Sequence, residues 1–329
     1  MVTTRVIVLN WNGRPWLERC LPALMRQRRP ATEVVVVDNA STDDSVAWVR
    51  EHHPSVQVQV LERNLGFAAG NNRGAAGATT DALVFLNNDT EPDGEWLERL
   101  VEAAEADPAR SLVTSCVVYW DRPDVVDSAG DGYLTCGGGF KVHHGQPLAT
   151  APPSREVFGA CGAAFLIRRE WFERLGGFDE SFFMVYEDVD LSYRARLLGA
   201  KIWYEAQALV RHGGSASMGR VSTLAVECGQ RNLEWVWLVN TPSLMLWRSA
   251  PAHLAYNVLG ALAYARQGRL GAWCRGKWAA CRAWSRIRVR RRQVQVARQV
   301  SEGAIRRLMH RNWIEVKRAE KRFDFSPGS

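Results

Sequence analysis

The chain has 329 residues, enough for one large domain or for one domain with an appendage. Apolar residues at 47% and charged residues at 23% exclude the disordered, collagen-like and low-complexity classes. The net charge of +7 is unevenly held: from Arg266 onward there are 18 Lys/Arg against 4 Asp/Glu, which leaves the first 265 residues net acidic. Seven cysteines form no CxxC pair and no regular spacing, so neither a disulfide framework nor a zinc knuckle is indicated. The first apolar run, Val6 to Leu9, is far too short for a signal peptide. The longest uncharged stretch, Ser249 to Ala265, contains Pro251, His253 and Asn257 and is a poor bilayer span. A reduced cytoplasmic protein is expected.

Arg5 to Leu9 is a β-branched apolar run that reads as a buried strand. Between Arg14 and Arg26, Leu17, Cys20, Leu21 and Leu24 recur at helical spacing, with Pro15 in the first turn. Val34 to Val37 reads as a second strand ending in Asp38-Asn39, and Ser41 or Thr42 is placed to cap a following helix that carries Val46 and Val49. A third strand over 56–61, a small-residue helix over 67–78 and a fourth strand over 82–86 complete an alternation that specifies a mostly parallel α/β sheet. Such sheets bind ligands beyond the carboxyl ends of their strands. The polar residues gather there: Asn10 and Asn12, Asp38 and Asn39, Asn64, and Asn87-Asn88-Asp89. The turn after the first strand reads Asn10-Trp11-Asn12-Gly13, which is no dinucleotide-binding G-x-G-x-x-G, and no P-loop follows any strand. Asp89 is either a divalent-metal ligand or a plain turn residue.

Downstream, a glycine-rich turn at 159–162 leads into a strand ending at Arg168, and a helix over 169–175 stops at Gly176-Gly177. Glu187, Asp188 and Asp190 crowd the start of the next helix, where the helix dipole is expected to keep them ionised. A strand follows over 201–204, and His212 to Ser215 reads as a polar loop. The proline- and glycine-rich segment 120–156 reads as loops and short strands. Within it Trp120, His143 and His144 are either acceptor contacts or exposed loop residues.

Taken together these motifs resemble family 2 glycosyltransferases of GT-A fold, and among them the rhamnosyltransferase-like bacterial members. The resemblance rests on Val-Leu-Asn-Trp-Asn-Gly at 8–13, Val-Val-Asp-Asn-Ala-Ser-Thr-Asp at 36–43, Asn-Leu-Gly-Phe-Ala-Ala-Gly-Asn-Asn at 64–72 and Leu-Asn-Asn-Asp at 86–89. Gly-Gly-Phe-Asp-Glu at 176–180, Glu-Asp-Val-Asp-Leu at 187–191 and Arg231-Asn232 continue it. It implies that Asn10, Asn12, Asp38 and Asn39 contact the base and ribose of a nucleoside diphosphate sugar. Asn64, Gly66 and Asn71 would shape the ribose and diphosphate side. Asn87-Asn88-Asp89 stands where the family's Asp-x-Asp metal motif lies, with only Asp89 acidic. His212 is a further ligand for Mn²⁺ or Mg²⁺ or else a surface histidine. Asp188, beside Glu187, corresponds to the catalytic base.

The implied activity is inverting, metal-dependent transfer from a dTDP- or UDP-linked sugar, rhamnose first, to a saccharide or lipid-linked saccharide in cell-envelope or polysaccharide biosynthesis. A non-catalytic sugar-nucleotide-binding or scaffolding protein on a degenerate transferase fold is the alternative, favoured by Asn87 and Asn88 in place of acids. The donor-binding half is expected at about 1–119, the acceptor and catalytic half at 120–232, and a basic, Trp-rich helical region at 233–329. The basic residues of that last region interleave with Trp273, Trp278, Trp284 and Trp313, which suits an anionic membrane surface on the inner face of the cell membrane. A basic surface packed on the body through its tryptophans is the plain alternative; nucleic acid is the least favoured partner, because the body holds no reading module.

Overall fold

The computed structural model describes residues 2–213 and 222–324, with the side chains of 321–324 left aside. Gly214 and Ser215, which the sequence reading placed in a loop, lie outside the described residues. The first half runs β1 (Thr4–Asn10), α1 (Arg14–Met25), β2 (Glu33–Asp38), α2 (Ser45–His52), β3 (Gln57–Val60), α3 (Gly66–Ala75) and β4 (Ala82–Asn87). Then come β5 (Thr90–Pro92), α4 (Trp96–Ala106), β6 (Arg110–Tyr119), β7 (Val126–Ser128), β8 (Asp131–Tyr133), β9 (Gly139–Lys141) and β10 (Arg155–Glu156). The body closes with β11 (Ala164–Arg168), α5 (Arg169–Leu175), α6 (Glu187–Leu197) and β12 (Lys201–His212). Six helices follow: α7 (Thr223–Asn240), α8 (Ser243–Arg266), α9 (Leu270–Arg282), α10 (Trp284–Ala297), α11 (Glu302–Leu308) and α12 (Trp313–Asp324).

One mixed sheet has the order β10-β12-β6-β11-β4-β1-β2-β3. β4, β1, β2 and β3 are parallel, as their helical crossovers require. β11 inserts antiparallel between β4 and β6. Alternate residues of β1 pack on opposite faces: Val6 and Val8 join α1, α2 and α4, and Ile7 joins α3, α5 and α6. Both faces are thus covered, which is why these strands read as continuous apolar runs.

Two differences from the sequence reading bear on function. β12 does not stop at Tyr204 but continues through an irregularity between Glu205 and Leu209 to His212, so His212 ends a strand rather than lying in a loop. Ser41 and Thr42 do not cap α2, whose N-cap is Asp44; they lock onto Asn12 instead, the Ser41 hydroxyl accepting from the Asn12 N–H at 2.8 Å and the Thr42 N–H donating to Asn12 Oδ1 at 2.7 Å. Residue 233 lies inside α7, and a third core cluster joins Tyr133, Phe158 and Tyr193 of the body to Val236, Ile287, Val294 and Ile305 of the later helices.

Candidate active site

The parallel register sets Asn10 beside Asp38 and Leu9 beside Asn87, so the polar strand ends form one row. Asn10 is fully buried; its amide donates to Asp38 Oδ1 at 3.1 Å, and its Oδ1 accepts from the Asn88 amide at 2.8 Å. Asp38 also accepts from the Ser41 N–H at 2.9 Å. Asn39 donates to Asn64 Oδ1 at 3.0 Å and accepts from the Leu65 N–H at 2.8 Å, tying the second strand end to the start of α3. Gly66 stands there with φ +81°, and a Cβ would lie 2.4 Å from the Phe183 carbonyl oxygen; only glycine allows that approach. Asn71 stands apart: it is buried and donates to the Phe67 carbonyl one turn back in its own helix. Its neighbour Asn72 reaches across instead, donating to the Phe178 carbonyl at 2.9 Å.

The glycine-rich turn before β11 joins the early and late halves. The Asn87 N–H donates to the Ala163 carbonyl at 2.9 Å, and the Gly162 N–H donates to Asp188 Oδ2 at 2.8 Å. Adjacent residues of one turn therefore hold the Asn87–Asp89 segment and Asp188. A Cβ on Gly162 would sit 2.7 Å from that Asp188 oxygen, so the turn must be glycine for the carboxylate to rest on it.

Burial overrides the helix dipole at α6. It raises the carboxyl pKa of Asp188 despite the opposing Gly162 and Val189 N–H groups. Glu187, deeper and with Oε2 lacking a hydrogen-bond partner, is held well above the carboxylate range by burial and by the Asp188 charge. The expectation that the dipole keeps all three acids ionised fails for Glu187. Asp190 is a structural acid, in a buried pair with Arg194 at 2.6 Å and accepting from Asn240 at 2.8 Å.

Three charged residues of the 120–156 segment join the site although the sequence reading did not single them out. β8 and β9 set Asp131 opposite Lys141. Asp131 is buried near Asp188, and burial and that charge push its pKa up to about 8. Asp127 falls where the β6–β7 register shifts, and its Oδ1 accepts from Lys141 Nζ at 2.6 Å. Burial would raise the Asp127 carboxyl, but Lys141, His144 and His212 hold it well below the usual range. Asp127 and Asp131 flank Gly130 in an otherwise small and apolar stretch, a weak signal that could have marked them. His144 spends Nδ1 on the Asp127 carbonyl at 2.8 Å, His143 meets Thr150 at 3.1 Å, and Trp120 packs on Trp16 and Arg19.

His212 pairs with Thr90 across β5, one residue from Asp89. Its Nε2 faces Asp89 Oδ1 at 3.4 Å, and its Nδ1 bonds Asp127 Oδ2 at 3.0 Å. Burial opposes a charge on His212, yet the hydrogen bonds to Asp127 and Asp89 outweigh it and push the pKa up to about 9. A carboxylate facing an imidazole that a second carboxylate orients is a donor set fit for a divalent cation, which displaces the ring proton. Among the described residues no cluster of three or more such ligands occurs, so ligand oxygens and water must complete any coordination shell.

A mixed sheet with its cleft at the carboxyl ends of the parallel strands, flanked by helices on both faces, is the GT-A architecture, and the chain is a glycosyltransferase. The family model described as "Glycosyl transferase family 2" matches residues 5–176, and the chain belongs to that family. It is 30% identical over 241 residues to the N-acetylglucosaminyl-diphospho-decaprenol L-rhamnosyltransferase of Mycobacterium tuberculosis (strain CDC 1551 / Oshkosh), a match covering 65% of this chain and 77% of that one. Among solved structures it is similar to a mannosyltransferase from Pyrobaculum calidifontis in complex with GDP-Man and Mn²⁺, with TM-score 0.55, 21% identity and coverage of 90% of this chain and 86% of that one. GalNAc-T7 with UDP, GalNAc and Mn²⁺ aligns with TM-score 0.58 at 19% identity over 73% of this chain, which spans about half, 48%, of that chain. At these identities the two structures speak to the fold.

Proposed function

We propose that the chain transfers a sugar, rhamnose being the first candidate, from a dTDP- or UDP-linked donor to a saccharide or lipid-linked saccharide, with inversion at the anomeric carbon, in cell-envelope or polysaccharide biosynthesis. The observation that carries the reading is the turn at Gly162-Ala163, which binds Asp188 with one residue and the Asn87–Asp89 segment with the next. In-line displacement needs a base on one side of the sugar and charge stabilisation on the other. Asp188 is the base: half-buried, with its proton affinity raised, it takes the proton of the acceptor hydroxyl as the new bond forms. Glu187, neutral beside it, keeps a second negative charge out of the pocket.

Asn10, Asn12, Asp38, Asn39 and Asn64 form the connected row that holds the base and ribose, with Gly66 opening the diphosphate side. Asn87 and Asn88 border it, and Asp89 and His212 would hold Mn²⁺ or Mg²⁺. Such an ion, when bound, neutralises charge developing on the leaving diphosphate. In this reading residues 1–119 bind the donor, 120–232 carry the base and receive the acceptor, and 233–329 face an anionic membrane surface from the cytoplasmic side. The rhamnosyltransferase similarity supports the sugar and a lipid-linked acceptor.

The test combines a variant with a chelator. Asp188→Asn should keep the donor affinity and lose roughly two to four orders of magnitude in turnover, and EDTA should abolish wild-type activity until Mn²⁺ or Mg²⁺ is restored. Turnover that survives in Asp188→Asn removes it as the base; full activity in chelator removes the Asp89 and His212 cation. A wild type that binds the donor but neither transfers nor hydrolyses it supports the scaffold alternative.

A further inference from the structure

No helix among the described residues is long and apolar enough to cross a membrane, yet α8 is built the wrong way round for a surface helix of a water-facing protein. Its inward face carries one core side chain, Met245, and is otherwise marked by polar groups. His253 is buried there, stacked on Trp237 at 3.6 Å and bonded to Glu234 at 2.9 Å, and Tyr256 packs edge-on against Trp313. Its outward face is apolar: Leu244, Trp247, Leu254, Val258 and Leu262 follow one another at steps of three, seven, four and four residues, which puts them on one stripe. All five are exposed, Trp247 to 77% and Leu254 to 66%. Before Leu224, the exposed large apolar side chains among the described residues are only the scattered Trp11, Met25 and Val60. The stripe is therefore a concentration of apolar surface, not the ordinary background.

Charge identifies what covers it. Between Glu234 and Glu302 the sequence has no acidic residue and 12 Lys/Arg. Arg248 and Arg266 are exposed on α8 itself, along one edge of the stripe. On α9, which packs against α8, Arg282 is exposed and lies 4.5 Å from the ring centre of the exposed Trp278, while the exposed Arg275 is paired with Glu227. A second copy of the chain would bring the same excess of positive charge, carried by Arg248, Arg266 and Arg282, to the contact and be repelled. A nucleic acid would satisfy the arginines and leave the leucines in water. An anionic bilayer satisfies both, with aliphatic side chains and the indole among the acyl-chain boundary and arginines at the headgroups.

We infer that α8 lies flat in the interface of an anionic lipid bilayer, its stripe from Leu244 to Leu262 inserted and its His253 face turned to the transferase. This deepens the membrane part of the function proposed above and does not depend on the chemistry assigned to Asp188. The full-length chain should sediment with phosphatidylglycerol-containing vesicles and not with pure phosphatidylcholine. The double variant Leu254→Glu/Val258→Glu, which changes two exposed side chains, should melt like the wild type and hydrolyse donor at the same rate without lipid. Its partition to the anionic vesicles should fall about tenfold or more. Undiminished binding of the double variant overturns the stripe while leaving a purely electrostatic membrane contact. Absence of wild-type binding to any vesicle overturns both. A wild-type dimer that the double variant splits overturns the inserted stripe, since that would make a second copy its occupant. Vesicle binding through the stripe by a chain that turns over no donor supports the inference and refutes the transferase reading alone.

Discussion

Burial and hydrogen bonding pull Asp188 in opposite directions, and burial prevails. A base is useful while deprotonated, so the acid limb of kcat/KM should lie above the ordinary aspartate value of about 4. Asp131 offers a cleaner measurement, because it titrates without being assigned a chemical step. Facing it are Asp188, Lys141, Asp127 and the Ser128 hydroxyl, which donates to it at 3.1 Å. Its folded pKa of about 8 stands above its unfolded value, so its contribution to stability is fully present below pH ~4 and is lost as pH rises through about 8. Asp131→Asn should therefore gain stability relative to the wild type across that window, with a flatter profile in thermal melts from pH 4 to 9. A constant offset between the two profiles would show that Asp131 is not held neutral. Little of this was legible in the residue itself: the small, apolar stretch around Asp131 is a weak mark, and its burial depends on the Lys141 strand pairing and on α6.

At the scale of elements, the segment before α6 is the strained one. Phe183, Val185 and Tyr186 all have positive φ, at 63°, 66° and 76°, a region that costs non-glycine residues of order 1–3 kcal/mol each. Asn232 of α7 holds it: fully buried, its amide reaches the carbonyls of Phe182, Met184 and Val185 at 3.1, 2.9 and 2.6 Å. Arg231 adds donors to the Ser181 and Phe182 carbonyls. The Phe183 carbonyl in turn accepts from the Phe67 N–H, so one clamped loop sets both the base and the start of α3. Asn232→Ala leaves those buried carbonyls short of a donor, and we expect a loss of roughly 1–3 kcal/mol in urea unfolding. Turnover should drop more than donor affinity, since Asp188 loses its setting and the Asn10–Asp38 row does not. Unchanged turnover in a destabilised variant would reduce Asn232 to a purely structural residue.

The Arg231-Asn232 pair was visible as a motif, but its purpose was not, because its partners lie some fifty positions earlier. The row Asn10, Asp38 and Asn87 was legible for the converse reason: each ends a continuous apolar run, and parallel strands align their ends whatever the distance along the chain. β12 was cut short in the reading because Glu205-Ala206-Gln207-Ala208 interrupts its apolar pattern; the pairing of its end with β5 and β6 is what carries the strand on to His212.

Across the whole molecule, charge and composition change sharply near the end of the body, and the core does not. A net-acidic first part and a strongly basic last part suggest an appendage beginning near residue 233. Yet Trp235, Val236 and Val239 pack in one buried cluster with Tyr133, Phe158, Phe182 and Tyr193, and Ala280, Ile287, Val294, Ile305 and Met309 complete it. The chain after α10 returns to the body as well: His310 exchanges backbone hydrogen bonds with Tyr133 and Thr135, beside the strand that carries Asp131. Composition reports which surface meets which solvent; it says little about which interiors are shared. Burying one large apolar side chain contributes about 1.5–3 kcal/mol, and removing every residue after Leu233 strips at least eight buried side chains from this cluster. That loss, about 12–24 kcal/mol, is as large as or larger than the roughly 5–15 kcal/mol typical of a whole domain. A chain ending at Leu233 should therefore elute as an aggregate in size exclusion, show no cooperative melt and turn over no donor. A cooperative melt with donor turnover retained would establish that the transferase body folds alone and that the shared cluster is incidental to it.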